Sequence, residues 1–227
     1  MAIQNQTAVG IDGCRGGWIA AIHGPDSSIE WLLQSKIGDI LEALPERSTI
    51  LVDMIIGLPD KNTPTRECDR LARQLLRPHG ARVFAAPPRE ALAANDYPEA
   101  CALARAATGK ALSKQCWHLF PKIRELEATS DARIRESHPE LVFHRLNHGS
   151  VVAASKKIPE GQGLRLDLLE AALPGSREAY ARAVREFPRK RVARDDLIDA
   201  LALCAATINA ERLQRLPEGV SGPAIWY

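Results

Sequence analysis

Acidic side chains stand in this chain at places where acids are rare. Asp12 closes the apolar run TAVGID (7–12), and Asp53 interrupts a second apolar run, TILVDMII (49–56). Asp196 and Asp199 open the Ala-rich stretch DLIDALALCAATINA (196–210), and Glu136 begins ESHPE, just before Leu141-Val142-Phe143. Ionised carboxylates are seldom buried unless paired, because losing their hydration costs several kcal/mol or more. Several of them in apolar elements therefore call for a compensating cation, and hard oxygen ligands suit Mg²⁺ or Mn²⁺. Spacing three apart puts Asp196 and Asp199 about 60° apart on a helix, facing one way. Asp12 and Asp53 converge if their strands are neighbours, since adjacent strands lie about 4.8 Å apart. The expected metal ligands are Asp12, Asp53, Asp196 and Asp199, with Glu136 as a further catalytic acid. Plainer roles compete: Asp12 precedes Gly13 and suits a turn, Asp196 suits a helix N-terminus, and an isolated Glu136 suits a surface. Asp53 within a strand has no turn or cap to serve, and Asp199 lies too deep in its helix for capping.

Basic residues flank this set. Arg185, Arg189, Lys190, Arg191 and Arg194 precede the last helix, and Arg15 follows the first-strand acid. Beside a carboxylate cluster such charges can hold substrate phosphates, so Arg15, Arg191 and Arg194 are the expected substrate contacts. Isolated, the same run would be a solvated loop and Arg15 a surface arginine. Lys156 and Lys157 are weaker candidates. Only 5% of residues are aromatic, which argues against a stacking platform for single-stranded bases. The net charge of +2 (30 basic, 28 acidic residues) creates no overall field that demands nucleic acid. The five cysteines are odd in number, widely spaced and form no C-x-x-C pair, which argues against a disulfide framework or a structural zinc site and points to reduced thiols. No base partner can be named to make Cys14 a nucleophile.

The elements that must position these groups follow from periodicity. Thr7–Asp12, Trp18–His23 and Ile29–Gln34 read as strands joined by the turns GCRGG and GPDSS. Ile37–Leu44 has helical spacing, and Thr49–Ile56 reads as a central buried strand. Residues 60 to about 130 are mainly helical, interrupted by a loop or short strand at 80–89, and Leu141-Val142-Phe143 suits a fifth strand. Residues 149–163 read as loop, Leu164–Leu173 and Arg177–Glu186 as helices, and Asp196–Ala210 as a helix packed deep against the sheet. The result is an α/β chain with a mixed sheet, expected to be one domain over residues 1–227 with a helical insertion at about 60–130. No apolar run is long enough to span a membrane, and the MAIQNQTAVG start lacks the pattern of a signal peptide. A cytoplasmic location and no membrane partner are expected.

The segments GIDGCRGGW (10–18), VDMIIGLP (52–59), RECDRLAR (66–73), VFAAPPR (83–89), PKIRELE (121–127), ESHPELVF (136–143) and DDLIDALAL (195–203) carry a resemblance. In this order they resemble the family catalogued as domain of unknown function 429, whose members are predicted to be ribonuclease H-like. Met54-Ile55 departs from the commoner Asp-x-Pro wording, which affects the local turn and not the acid set. The resemblance implies a ribonuclease H-like fold, with a central five-stranded mixed sheet and helices on both faces. It also implies that Asp12 is the first-strand acid, Asp53 the fourth-strand acid, and Asp196 with Asp199 the final-helix pair. D-x-x-D-A-L-A at 196–202 is similar to the wording of Holliday-junction resolvases. The activity this implies is a metal-dependent nuclease that hydrolyses DNA or RNA by a two-metal-ion mechanism with Mg²⁺ or Mn²⁺. Two alternatives stay open. Strand-Asp-Gly-turn also resembles the first phosphate loop of actin-like ATPases, implying nucleotide binding and phosphoryl transfer, although 227 residues leave little room for a second domain. The other is a non-catalytic nucleic-acid-binding module. Homodimer formation is a further option.

Overall fold

The computed structural model of the chain describes residues 6–227. Its sheet is built from β1 (Thr7–Cys14), β2 (Gly17–His23), β3 (Ile29–Gln34), β4 (Ser48–Asp53) and β5 (Ile134–Glu136), in the order β3-β2-β1-β4-β5. β1 pairs antiparallel with β2, and β2 antiparallel with β3, while β1–β4 and β4–β5 are parallel. The α/β class and the mixed five-stranded sheet are thus as the sequence implied. Gly17 has a left-handed φ of +120°, and a Cβ there would lie 2.1 Å from the Gln34 carbonyl oxygen, so this turn requires glycine. α1 (Ile37–Ala43) packs against β2 and β3 before the chain enters β4.

Two strand expectations are corrected. β4 stops at Asp53, so this acid ends its strand and does not lie in mid-strand. Met54-Ile55-Ile56 continue the apolar run but leave the sheet toward Gly57, whose φ is +78°. Leu141-Val142-Phe143 are helical, inside α5 (Pro139–Leu146), and the fifth strand is the shorter Ile134–Glu136 just before it. A three-residue apolar run cannot distinguish strand from buried helix. Here Pro139 opens the helix, and His138 Nδ1 accepts the Glu140 N–H at its start.

The last long helix, α8 (Arg194–Thr207), is preceded by α2 (Glu67–Leu75), α3 (Tyr97–Thr108), α4 (Lys114–Glu127), α6 (Pro159–Ala172) and α7 (Ser176–Glu186). α6 starts within the stretch read as loop, with Pro159 in its first turn. α8 (Arg194–Thr207) lies against β1, β2 and β4, as its apolar faces required. Gly10 makes this approach possible: a Cβ there would sit 2.1 Å from the Ala200 carbonyl oxygen and 2.2 Å from the Cys204 nitrogen. Val9 and Ile11, which alternate with Gly10 along β1, are fully buried on its other face.

The chain divides into two compact units. The first holds the five-stranded sheet: the described residues up to Met54, with Asp131–Gln214 and Trp226–Tyr227. The second is Ile55–Ser130 with Arg215–Ile225. Within the second unit, Ala91, Ala94, Ala100, Ala104, Cys116 and Phe120 make a core of small and aromatic side chains. Its family-like segments hold one another. Buried Asp69 pairs with Arg66 (3.4 Å) and accepts the Ala86 N–H, and Arg73 donates to the Val83 carbonyl. Arg124 donates to the Leu92 and Ala94 carbonyls, and Arg89 pairs with Glu127. β6 (Arg215–Leu216) and β7 (Ile225–Trp226) form a short separate ladder.

Candidate metal centre

The parallel register of β1 and β4 sets Asp12 opposite Asp53, at the end of β4. Asp199 comes from the second turn of α8, the helix that Gly10 allows onto β1. One carboxylate oxygen from each of Asp12, Asp53 and Asp199 lies within 4.8 Å of the other two. Asp12 is 7% exposed and Asp199 2%, while Asp53 is half-buried. Asp199 Oδ2 accepts from Lys156 Nζ, whereas its Oδ1 is buried and has no hydrogen-bond partner among the described residues.

Burial first, and neighbouring carboxylates second, raise the pKa of all three acids. Burial pushes Asp12 well above the usual aspartate range, and Asp53, Asp199 and Asp196 push it further, against Lys156. Burial also raises Asp53, with His138 and Lys156 pulling it down and Glu140 raising it. Asp199 is pushed up to about 7, by burial first and also by Asp53 and Glu140, against the pull of Lys156. Burial disfavours the Lys156 ammonium, but Asp199, Asp53 and Asp12 outweigh it and hold this lysine charged. These groups fit a metal ion: three hard oxygen donors converge, their negative charge is under-compensated, and a buried carboxylate oxygen lacks a donor.

Of the expected acids, Asp12, Asp53 and Asp199 come together, while Asp196 and Glu136 lie outside that trio. Asp196 serves the N-terminus of α8, where its Oδ2 accepts the Ala193 N–H at 2.8 Å, and its charge acts on Asp12. Glu136 is buried at the end of β5, in register with Val52. Of the expected substrate contacts, Arg15 and Arg191 are exposed, and the Gly16 N–H donates to the Arg191 carbonyl at 2.8 Å, tying their two loops together. Arg194 differs: its guanidinium donates to the Phe187 and Val184 carbonyls and closes the end of α7. All five cysteines are buried thiols, Cys14 among them. No helix among the described residues is long and apolar enough to cross a membrane.

Three groups escaped the sequence. Lys156 was a weak phosphate candidate and is instead bonded to Asp199. His138 lies close enough to Asp53 to favour its ionised form. Glu140 binds fully buried Arg165 through both carboxylate oxygens, at 2.8 and 3.0 Å. Only an acid spaced two residues from a histidine was visible in ESHPE, and nothing in it signals a partner 25 positions away. No curated protein and no solved structure was found to match the chain. A family model does match residues 10–221, nearly the whole length, and the chain accordingly belongs to the family described as Protein of unknown function (DUF429).

Proposed function

We propose that this protein is a Mg²⁺- or Mn²⁺-dependent nuclease with a ribonuclease H-like fold. The observation that carries the reading is the convergence of Asp12, Asp53 and Asp199, with the buried Asp199 Oδ1 lacking a donor. Three of the four acids that the ribonuclease H-like resemblance implied, on the first strand, the fourth strand and the final helix, make up this trio, and Asp196 does not. Asp12, Asp53 and Asp199 would hold the ion. The chemistry that such an ion supplies when bound is stabilisation of developing charge on a phosphoryl oxygen and acidification of water. Exposed Arg15, three residues beyond Asp12, and Arg191, on the loop joined to it, would bind the phosphates of the flanking backbone. Arg185, Arg189 and Lys190 are exposed as well, and this run of basic residues supports a polyanionic substrate over a mononucleotide.

The test pairs ion binding with cleavage. Calorimetry with Mn²⁺ should show binding to the wild type and none to Asp53→Asn, a change that keeps size while removing charge. Cleavage assays on single-stranded, duplex, hybrid and branched substrates should then show Mn²⁺-dependent products that Asp53→Asn and Asp199→Asn abolish. Metal binding without cleavage of any of these substrates would overturn the nuclease reading and favour a non-catalytic binding module. Hydrolysis of a nucleoside triphosphate in their place would favour phosphoryl transfer.

A further inference from the structure

Lys156 is held at the acid cluster by a built support. Arg165, with 0% exposure, donates to the Ala154 carbonyl at 2.9 Å and the Gly161 carbonyl at 3.1 Å, as well as to Glu140. Gln162 Nε2 donates to the carbonyl of Lys156 itself at 3.0 Å, and the Ile158 N–H donates to the Ser155 carbonyl at 3.2 Å. Gly161 leaves room for this loop, since a Cβ there would lie 2.1 Å from the Ser155 oxygen. A solvated surface lysine has no such anchoring. The side chain, 32% exposed, bonds Asp199, and Asp53 and Asp12 also attract its charge.

We propose that the Lys156 ammonium is a resident cation of the acid cluster, so that Asp12, Asp53 and Asp199 take one divalent ion and not the two that the sequence resemblance implied. The charges agree: one ammonium and one divalent ion neutralise three carboxylates, whereas a second divalent ion would leave the site strongly positive beside Lys156. Asp199 divides its oxygens accordingly, with Oδ2 on the lysine and Oδ1 left for the ion. Arg165 and Gln162 are positioning residues, acting through the loop that carries Lys156. The inference rests on the proposal that the acids bind a divalent ion.

The experiment is Mn²⁺ titration of the full chain, followed by calorimetry and electron paramagnetic resonance, on the wild type, Lys156→Met and Lys156→Arg. The expected result is one Mn²⁺ per wild-type chain, giving the six-line spectrum of an isolated ion. Lys156→Met should take a second ion, with the broadened spectrum of a coupled pair. Lys156→Arg, which keeps the charge, should stay at one. Two ions in the wild type would overturn the proposal while leaving the metal site standing, and so would a folded Lys156→Met that still takes one. If Lys156→Met does not fold, acylation of wild-type lysines decides, read by mass spectrometry. Lys156 should stay protected at saturating Mn²⁺, and ion-induced exposure would overturn the proposal. No Mn²⁺ bound to any of the three proteins would overturn the metal reading itself.

Discussion

At neutral pH the ionised form of Asp12 is opposed by burial, then by Asp53, Asp199 and Asp196, and is favoured by Lys156. Asp12→Asn removes that conflict at nearly constant size. It should raise the melting temperature of the metal-free protein while eliminating Mn²⁺ binding. A lower melting temperature for the metal-free variant would contradict this. Asp199 gives the pH dependence. Its folded-state pKa of about 7 lies above the ordinary 3.8, so between these values the folded state binds more protons than the unfolded one. The stability this group contributes is full below the ordinary value and is lost as pH rises through about 7. Thermal melts of the metal-free protein should therefore show a melting temperature that falls across that window, and the increment given by added Mn²⁺ should grow across it. Arg194 separates from its basic neighbours. Because it bonds two main-chain carbonyls, Arg194→Ala should cost about 1–3 kcal/mol in urea unfolding, while exposed Arg191→Ala should stay within about 0.5 kcal/mol of wild type.

The element that fixes the centre is the contact of β1 with α8. Gly10→Ala would drive a methyl group into main-chain atoms that cannot rotate away, so a loss of at least about 2–3 kcal/mol is expected by chemical denaturation. An unchanged midpoint would mean that α8 does not lie where this contact places it. Much of this architecture was legible from sequence because strands and helices announce themselves by period. β3 begins and ends at the expected residues, and α8 is buried as an Ala-rich helix should be. Where period is silent, the reading failed. Leu141–Phe143 offered three apolar residues that suit either element, and the choice lay in the cap made by His138 and Pro139. Helical spacing likewise put Asp196 and Asp199 on one face without saying which enters the site. The helix terminus decides it. The Ala193 N–H at the start of α8 has no partner one turn back and takes the nearest carboxylate, Asp196, whereas the amides around Asp199 are already bonded within the helix.

Over the whole molecule, what stayed illegible is what depends on long loops closing. Lys156 meets Asp199 across 43 positions and Glu140 meets Arg165 across 25, and neither pairing leaves a mark on local sequence. The segments RECDRLAR and VFAAPPR carried the resemblance without a stated role, and Asp69 ties one to the other within the second unit. Asp69→Ala should therefore destabilise that unit by about 3–5 kcal/mol, leaving buried Arg66 without this carboxylate, and should quicken proteolysis at 83–88. With a net charge of only +2, the proposed nucleic-acid binding would draw on local charge. Each phosphate contact contributes about 0.9 to the salt slope on a duplex, so Arg15→Ala with Arg191→Ala should make that slope shallower by about 2. The meeting of Gly10 with Ala200 and Cys204 is main chain against main chain, with no side chain between. Sequence drift in the hydrophobic interior can then alter volumes around Ile11 or Leu201 without changing the offset between strand and helix. Relatives with quite different interiors should keep the same ion affinity, and a core-truncated variant should melt earlier yet titrate with Mn²⁺ as the parent does.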